Sequence, residues 1–144
     1  MRTLIDARRI GGIRRPIGVV AHGVTDYTVG TALATIGPRL FGVSGTPAGR
    51  QIRAAGLSHL AYSTVTDYPL GVMRKLPYRA HLAIDVGGAL ALAATPFMTG
   101  QFRRGRSQWL PHVALAVFEL SAVLLSDPTG GEQVRTSESQ HAAG

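Results

Sequence analysis

The placement of the basic residues constrains this chain more than any other feature. The fifteen lysines and arginines gather at Arg2, Arg8, Arg9, Arg14 and Arg15, then Arg39, Arg50 and Arg53, then Arg74, Lys75 and Arg79, then Arg103, Arg104 and Arg106, with Arg135 in the tail. Between these clusters lie four segments without Lys or Arg, 16–38, 54–73, 80–102 and 107–126, of 23, 20, 23 and 20 residues. At about 1.5 Å rise per residue, an apolar helix needs about 20 residues to cross the hydrocarbon layer of a bilayer. Four such lengths in succession, each bracketed by arginine, predict an all-α fold: a four-transmembrane-helix bundle.

Composition agrees. Charged residues make up 16% of the chain, against about 25% in a soluble domain. Cysteine is absent, which excludes a disulfide framework and thiolate metal sites. The net charge of +7 would suggest nucleic acid if the basic residues shared a face. Here they sit between apolar segments, so nucleic acid is not an expected partner, and the arginines read as topology determinants and contacts to anionic lipid.

The first segment opens with Pro16 and closes near Gly37-Pro38, and the second has Pro69 near its end. The third is most apolar over Gly87–Ala94 and ends near Pro96; the fourth begins near Trp109 and stops before Asp127-Pro128. Trp109, Tyr78 and Phe102 lie close to span ends, where aromatic belts form. The domain reading is a basic N-terminal segment 1–15, a four-helix membrane domain 16–126 and a disordered tail 127–144. With four spans both termini share a side with the 74–79 loop, nine positive charges against six on the other. Both termini are therefore expected in the cytoplasm. The Arg-over-Lys and Ala/Gly bias suggests a bacterial cytoplasmic (inner) membrane.

Two internal echoes stand out. His22-Gly-Val-Thr-Asp26 and His81-Leu-Ala-Ile-Asp85 share His-x-x-x-Asp, each after Ala and before a Gly/Ala-rich run that ends at proline. This predicts two tandem helix pairs. Val24-Thr25-Asp26-Tyr27, with Gly30, recurs as Val65-Thr66-Asp67-Tyr68, with Gly71. The layout over 16–126 resembles the SPW-repeat family of small bacterial membrane proteins. In that family each repeat has two transmembrane helices, with Ser-Pro-Trp near the end of the first. Thr95-Pro96-Phe97 and Gly37-Pro38-Arg39 stand at the matching positions. The resemblance implies a membrane location and carries no defined activity.

The segments also hold charge. Asp26, Asp67, Asp85 and Glu119, four of the eight acids, fall inside them, with His22, His59, His81 and His112. A carboxylate at mid-membrane costs about 2.5–3.5 kcal/mol even on the lenient insertion scale, so these groups are expected to face one another. Counted from the cytoplasmic end of each segment, Asp85 is sixth, His22 and Asp67 seventh, and Glu119 eighth. His59 and His112 are both fifteenth. Three kinds of core fit this pattern. It holds helices together through hydrogen bonds, or conducts protons or ions. Or it binds a cofactor: a divalent metal at His22, Asp26, Asp67, Asp85 and Glu119, or haem between His59 and His112. No phosphate-binding loop or nucleophile–base spacing points to an enzyme. The bilayer is the expected partner, with a homo-oligomer or a larger membrane complex beyond it. A soluble helical bundle that binds haem or metal is the rival.

Overall fold

The computed structural model describes residues 9–10 and 13–142 of the chain, so most of the basic segment 1–15 lies outside the described residues. The protein is mostly helical. The long elements are α1 (Val19–Thr35), α3 (Pro47–Val65), α4 (Tyr78–Met98) and α5 (Arg106–Leu125). Shorter ones are α2 (Gly37–Leu40), a 3-10 turn (Gln101–Arg104) and α6 (Gly130–Ala142). Two-residue strands β1 (Arg9–Ile10) and β2 (Ile13–Arg14) pair antiparallel, and β3 (Thr66–Asp67) and β4 (Leu76–Pro77) pair parallel.

Three long helices lie where the arginine-free segments predict them; α3 does not. Thr46 caps its start, accepting the Gly49 N–H at 3.2 Å, and Pro47 supplies a preset φ in the first turn. At the far end Thr66 is already extended and pairs with Leu76. The helix expected over 54–73 therefore sits seven to eight residues earlier. It takes in Arg50 and Arg53 and leaves Asp67 and Pro69 in the connection.

The long helices pack as two pairs, α1 on α3 and α4 on α5. The first contact is close: a Cβ added at Gly56 would stand 2.6 Å from Ala34 N and 2.7 Å from Gly30 O. Two small apolar clusters close the ends. Val19, Tyr68, Tyr78 and Leu82 form one, and Val43, Ala48 and Ile52 the other. Much of the remaining interior is polar: His22, Asp26, Ser63, Thr66, His81, Asp85, Gln101, His112 and Ser126 are all buried. Helices α4 and α5 are long and apolar enough to cross a membrane.

Where the sequence predicts a disordered tail, residues 130–142 form α6. Ion pairs tie it down, Arg74 to Glu138 at 2.9 Å, Arg79 to Glu132 at 3.2 Å and Arg135 to Asp67 at 3.3 Å. Val134 adds an apolar contact to the Val19–Tyr78 cluster. The Glu138 bond, with Asp67 nearby, also holds the Arg74 guanidinium above its ordinary pKa.

Candidate metal centre

The polar interior has a definite centre, made by three helices and completed by hydroxyls from the connections. Helix α1 contributes His22 and Asp26 and helix α4 contributes His81 and Asp85. In each pair the i, i+4 spacing puts both side chains on one face. Helix α3 contributes His59 and Tyr62. Asp26 Oδ1 lies 3.1 Å from His59 Nε2 and 3.4 Å from His22 Nε2, while its Oδ2 lies 3.2 Å from His81 Nε2. Asp85 Oδ2 lies 3.2 Å from His22 Nε2 and 3.3 Å from His81 Nε2. Three imidazole Nε2 atoms thus alternate with the oxygens of two buried carboxylates.

The hydroxyl groups determine which ring nitrogen of each histidine carries the proton. Ser126 gives its hydroxyl proton to the Ala122 carbonyl at 2.7 Å, so toward His22 Nδ1, 2.7 Å away, it acts as acceptor. Thr66 does the same, donating to the Tyr62 carbonyl at 2.7 Å and accepting from His81 Nδ1 at 2.7 Å. Tyr62 donates to Asp85 Oδ1 at 2.7 Å and accepts from His59 Nδ1 at 2.6 Å. All three Nδ1 atoms therefore carry hydrogen. In the neutral ring each Nε2 then presents a lone pair to the carboxylates.

Lone pairs facing carboxylate oxygens repel unless something positive sits among them. Either protons convert imidazoles to imidazolium, or a cation occupies the centre. His22 and His59 fit the proton alternative, their Nε2 atoms standing in hydrogen-bond geometry to Asp85 Oδ2 at 3.2 Å and Asp26 Oδ1 at 3.1 Å, while His81 favours the ion. The His81 ring is 0% exposed, and although two carboxylate oxygens lie within 3.3 Å of its Nε2, neither is aligned for a hydrogen bond. An imidazolium would leave that N–H without a partner, whereas a shared ion needs no such alignment. The spacing also suits an ion: donors bound at about 2.0–2.1 Å in a tetrahedral or octahedral shell lie roughly 3.0–3.4 Å apart. Here the N···O contacts run from 3.1 to 3.4 Å.

Of the residues the sequence singles out as metal ligands, His22, Asp26 and Asp85 meet at this centre. Glu119 stands beside them, its Oε1 3.7 Å from His59 Nδ1, and with His59 and Asp85 it forms a second group whose donor atoms lie within 4.8 Å of one another. Asp67 is not brought in. It lies beyond the end of α3, paired with Arg74 at 3.2 Å and with Arg135. Of the proposed haem pair, His59 joins the centre, while His112 donates from Nε2 to Gln51 Oε1 at 3.1 Å. Sequence reasoning did not assign His81, Tyr62, Thr66 or Ser126 to a site. The His81–Asp85 echo of His22–Asp26 was the signal for the first and the i, i+3 spacing of His59 and Tyr62 for the second; Ser126 had none.

A cavity of about 430 Å³ adjoins the centre between the two helix pairs. His22, Asp26, His59, Tyr62, Asp85 and Glu119 line one part, and aliphatic side chains with Phe118, Thr25, Ser58, Thr95, Gln51 and His112 line the rest. Comparison of the chain with protein-family models, with curated proteins and with solved structures gives no match.

Proposed function

We propose that this protein is a four-span membrane bundle that binds a divalent first-row transition metal through His22, Asp26, His59, His81 and Asp85. The observation that carries the reading is the convergence of three Nε2 atoms on the oxygens of two buried carboxylates, with a hydroxyl oxygen against each Nδ1. Metal-ligating histidines characteristically give their other N–H to a second-shell acceptor. Two carboxylates also balance a divalent charge, which lowers the cost of burying them. Imidazole with carboxylate suits zinc, manganese or iron; calcium and magnesium prefer all-oxygen shells.

The membrane part rests on an inverted distribution of polarity. Beside the two small apolar clusters, buried positions hold histidine, aspartate, serine and threonine, while large apolar side chains also face outward from all four long helices. Val24 on α1, Leu57 on α3, Leu90 on α4 and Val117 on α5 are each more than half exposed. In water such a surface would drive aggregation; in lipid it is the matching solvent. Several outward hydroxyls are bonded within their own helices, which suits lipid. Thr28 donates to Val24 O at 2.8 Å and Ser121 to Val117 O at 2.7 Å. The two-pair arrangement is also the one the SPW-repeat resemblance implies.

The test is the metal content of protein extracted from bacterial membranes in mild detergent, before and after reconstitution with Zn²⁺, Mn²⁺ or Fe²⁺. A stoichiometric ion, lost in His81→Ala, is expected. Protein that stays metal-free throughout would leave a protonated network in its place. Release from membranes by alkaline carbonate without detergent would remove the membrane half of the proposal.

A further inference from the structure

We infer that the cavity between the helix pairs binds an apolar molecule carrying one protonated amine, with Glu119 as its counter-charge. The inference rests on the bundle-and-metal reading for its count of charges. The chamber is roomy because small residues, Ala54, Ala55, Gly88 and Ala91, line it alongside Leu92 and Phe118. At about 430 Å³ it falls within the range of small-molecule sites. Its apolar walls suit a ligand arriving from the hydrocarbon phase.

Glu119 is the feature that selects the head group. It lines the chamber with its Oε1 3.7 Å from His59 Nδ1, and that N–H already points to the Tyr62 hydroxyl at 2.6 Å. Among the described residues, no donor reaches Glu119 within hydrogen-bond distance. Opposite it stands Gly88, where an added Cβ would lie 3.3 Å from Oε1, so the glycine keeps this side of the carboxylate clear. With a divalent ion balancing Asp26 and Asp85, Glu119 is the one negative charge left in the chamber. Uncompensated, such a charge is costly in apolar surroundings, and the cost is relieved either by a proton on the carboxyl or by a cationic ligand. A protonated amine supplies both the N–H donors and the positive charge. A neutral alcohol supplies a donor without the charge, and a carboxylic acid ligand would add a second negative charge. The Tyr62 and Phe118 rings among the lining residues also suit a cationic nitrogen.

The experiment compares three probes that share one apolar body, 1-aminoadamantane, 1-adamantanol and adamantane-1-carboxylate, titrated calorimetrically into Zn²⁺-loaded protein in non-ionic detergent. The amine should bind about tenfold more tightly than the alcohol, and the carboxylate more weakly than either. Glu119→Gln should erase the amine's advantage while keeping its metal, measured on the same sample. Equal binding of amine and alcohol by the wild type would overturn the inference without any variant, and so would an advantage that survives in Glu119→Gln. A Glu119-dependent amine preference in protein that takes up no metal on loading would sink the metal reading and leave the amine site standing. Stoichiometric metal without head-group preference would do the reverse.

Discussion

Replacing Tyr62 by phenylalanine removes one oxygen atom and tests the whole construction of the centre. That hydroxyl accepts from His59 Nδ1 at 2.6 Å and donates to Asp85 Oδ1 at 2.7 Å. Phenylalanine keeps the ring, which packs against His59 and His81 with centroids 4.9 Å from each. The loss is therefore confined to two hydrogen bonds, one to a charged acceptor. Such bonds contribute about 0.5–1.5 kcal/mol for the neutral pair and about 1.5–3 kcal/mol for the charged one. Part of that sum is lost from the metal-free protein as well, so it does not all appear in binding. What remains is the orientation of His59 and the basicity of Asp85. Loss of an outer-shell partner of this kind costs roughly 10–100-fold in metal affinity, or about 1.4–2.7 kcal/mol. Competition of detergent-solubilised protein with a chromophoric chelator for Zn²⁺ gives both affinity and stoichiometry. The expected result is an unchanged stoichiometry with an affinity weaker by that factor. A Tyr62→Phe protein that binds Zn²⁺ as tightly as the wild type would mean that the hydroxyl does not orient His59 toward an ion.

Three further outcomes follow from the same geometry. Asp85→Asn should abolish stoichiometric metal, because Asp85 Oδ2 faces both His22 and His81; metal retained at wild-type affinity would remove it from the ligand set. Gly56→Ala should lower the melting temperature in detergent, since its Cβ would meet backbone atoms of α1 at 2.6 and 2.7 Å. The strain is about 1–3 kcal/mol, and an unchanged melting temperature would show that α1 and α3 do not pack this closely. The chain has no cysteine, so Ser44→Cys in the α2–α3 connection and Ser139→Cys on α6 give single-site topology reporters. In intact cells an impermeant thiol reagent should label the first and spare the second. Labelling of both to the same extent would contradict spans that separate them.

The sequence made the residue types of the core legible but not their levels. Acids and histidines in low-charge segments had to face inward, and His22, Asp26, His81 and Asp85 do so. Helices α1, α4 and α5 lie close to their predicted positions because proline, glycine and arginine there coincide with real helix ends. In α3 they do not. A stretch without arginine records where charge is absent, and Arg50 and Arg53 stand exposed on the first turns of a helix that Thr46 and Pro47 start earlier. That displacement moves His59 from the level assigned to His112 to the level of Asp26, and carries Asp67 out of the interior altogether.

Most of the hydroxyls were illegible for a different reason. Tyr62, Thr66 and Ser126 are ordinary residues at the end of α3 and just past the ends of α3 and α5. Tyr62 stands i, i+3 from His59 on one helix face, but Thr66 and Ser126 meet histidines from other elements, and no spacing marks those pairs. The role of each hydroxyl is set by where its own proton goes, a carbonyl for Thr66 and Ser126 and a carboxylate for Tyr62. The same constraint explains why the centre cannot be improved one residue at a time. Moving a hydroxyl's proton toward its histidine would free Nδ1 of hydrogen, transfer it to Nε2 and fill the lone pair that faces the carboxylates. Ring orientation and hydrogen-bond role are therefore set together by helix ends, and under the metal reading a substitution that shifts the end of α3 or α5 should weaken metal binding even where it touches none of the proposed ligands.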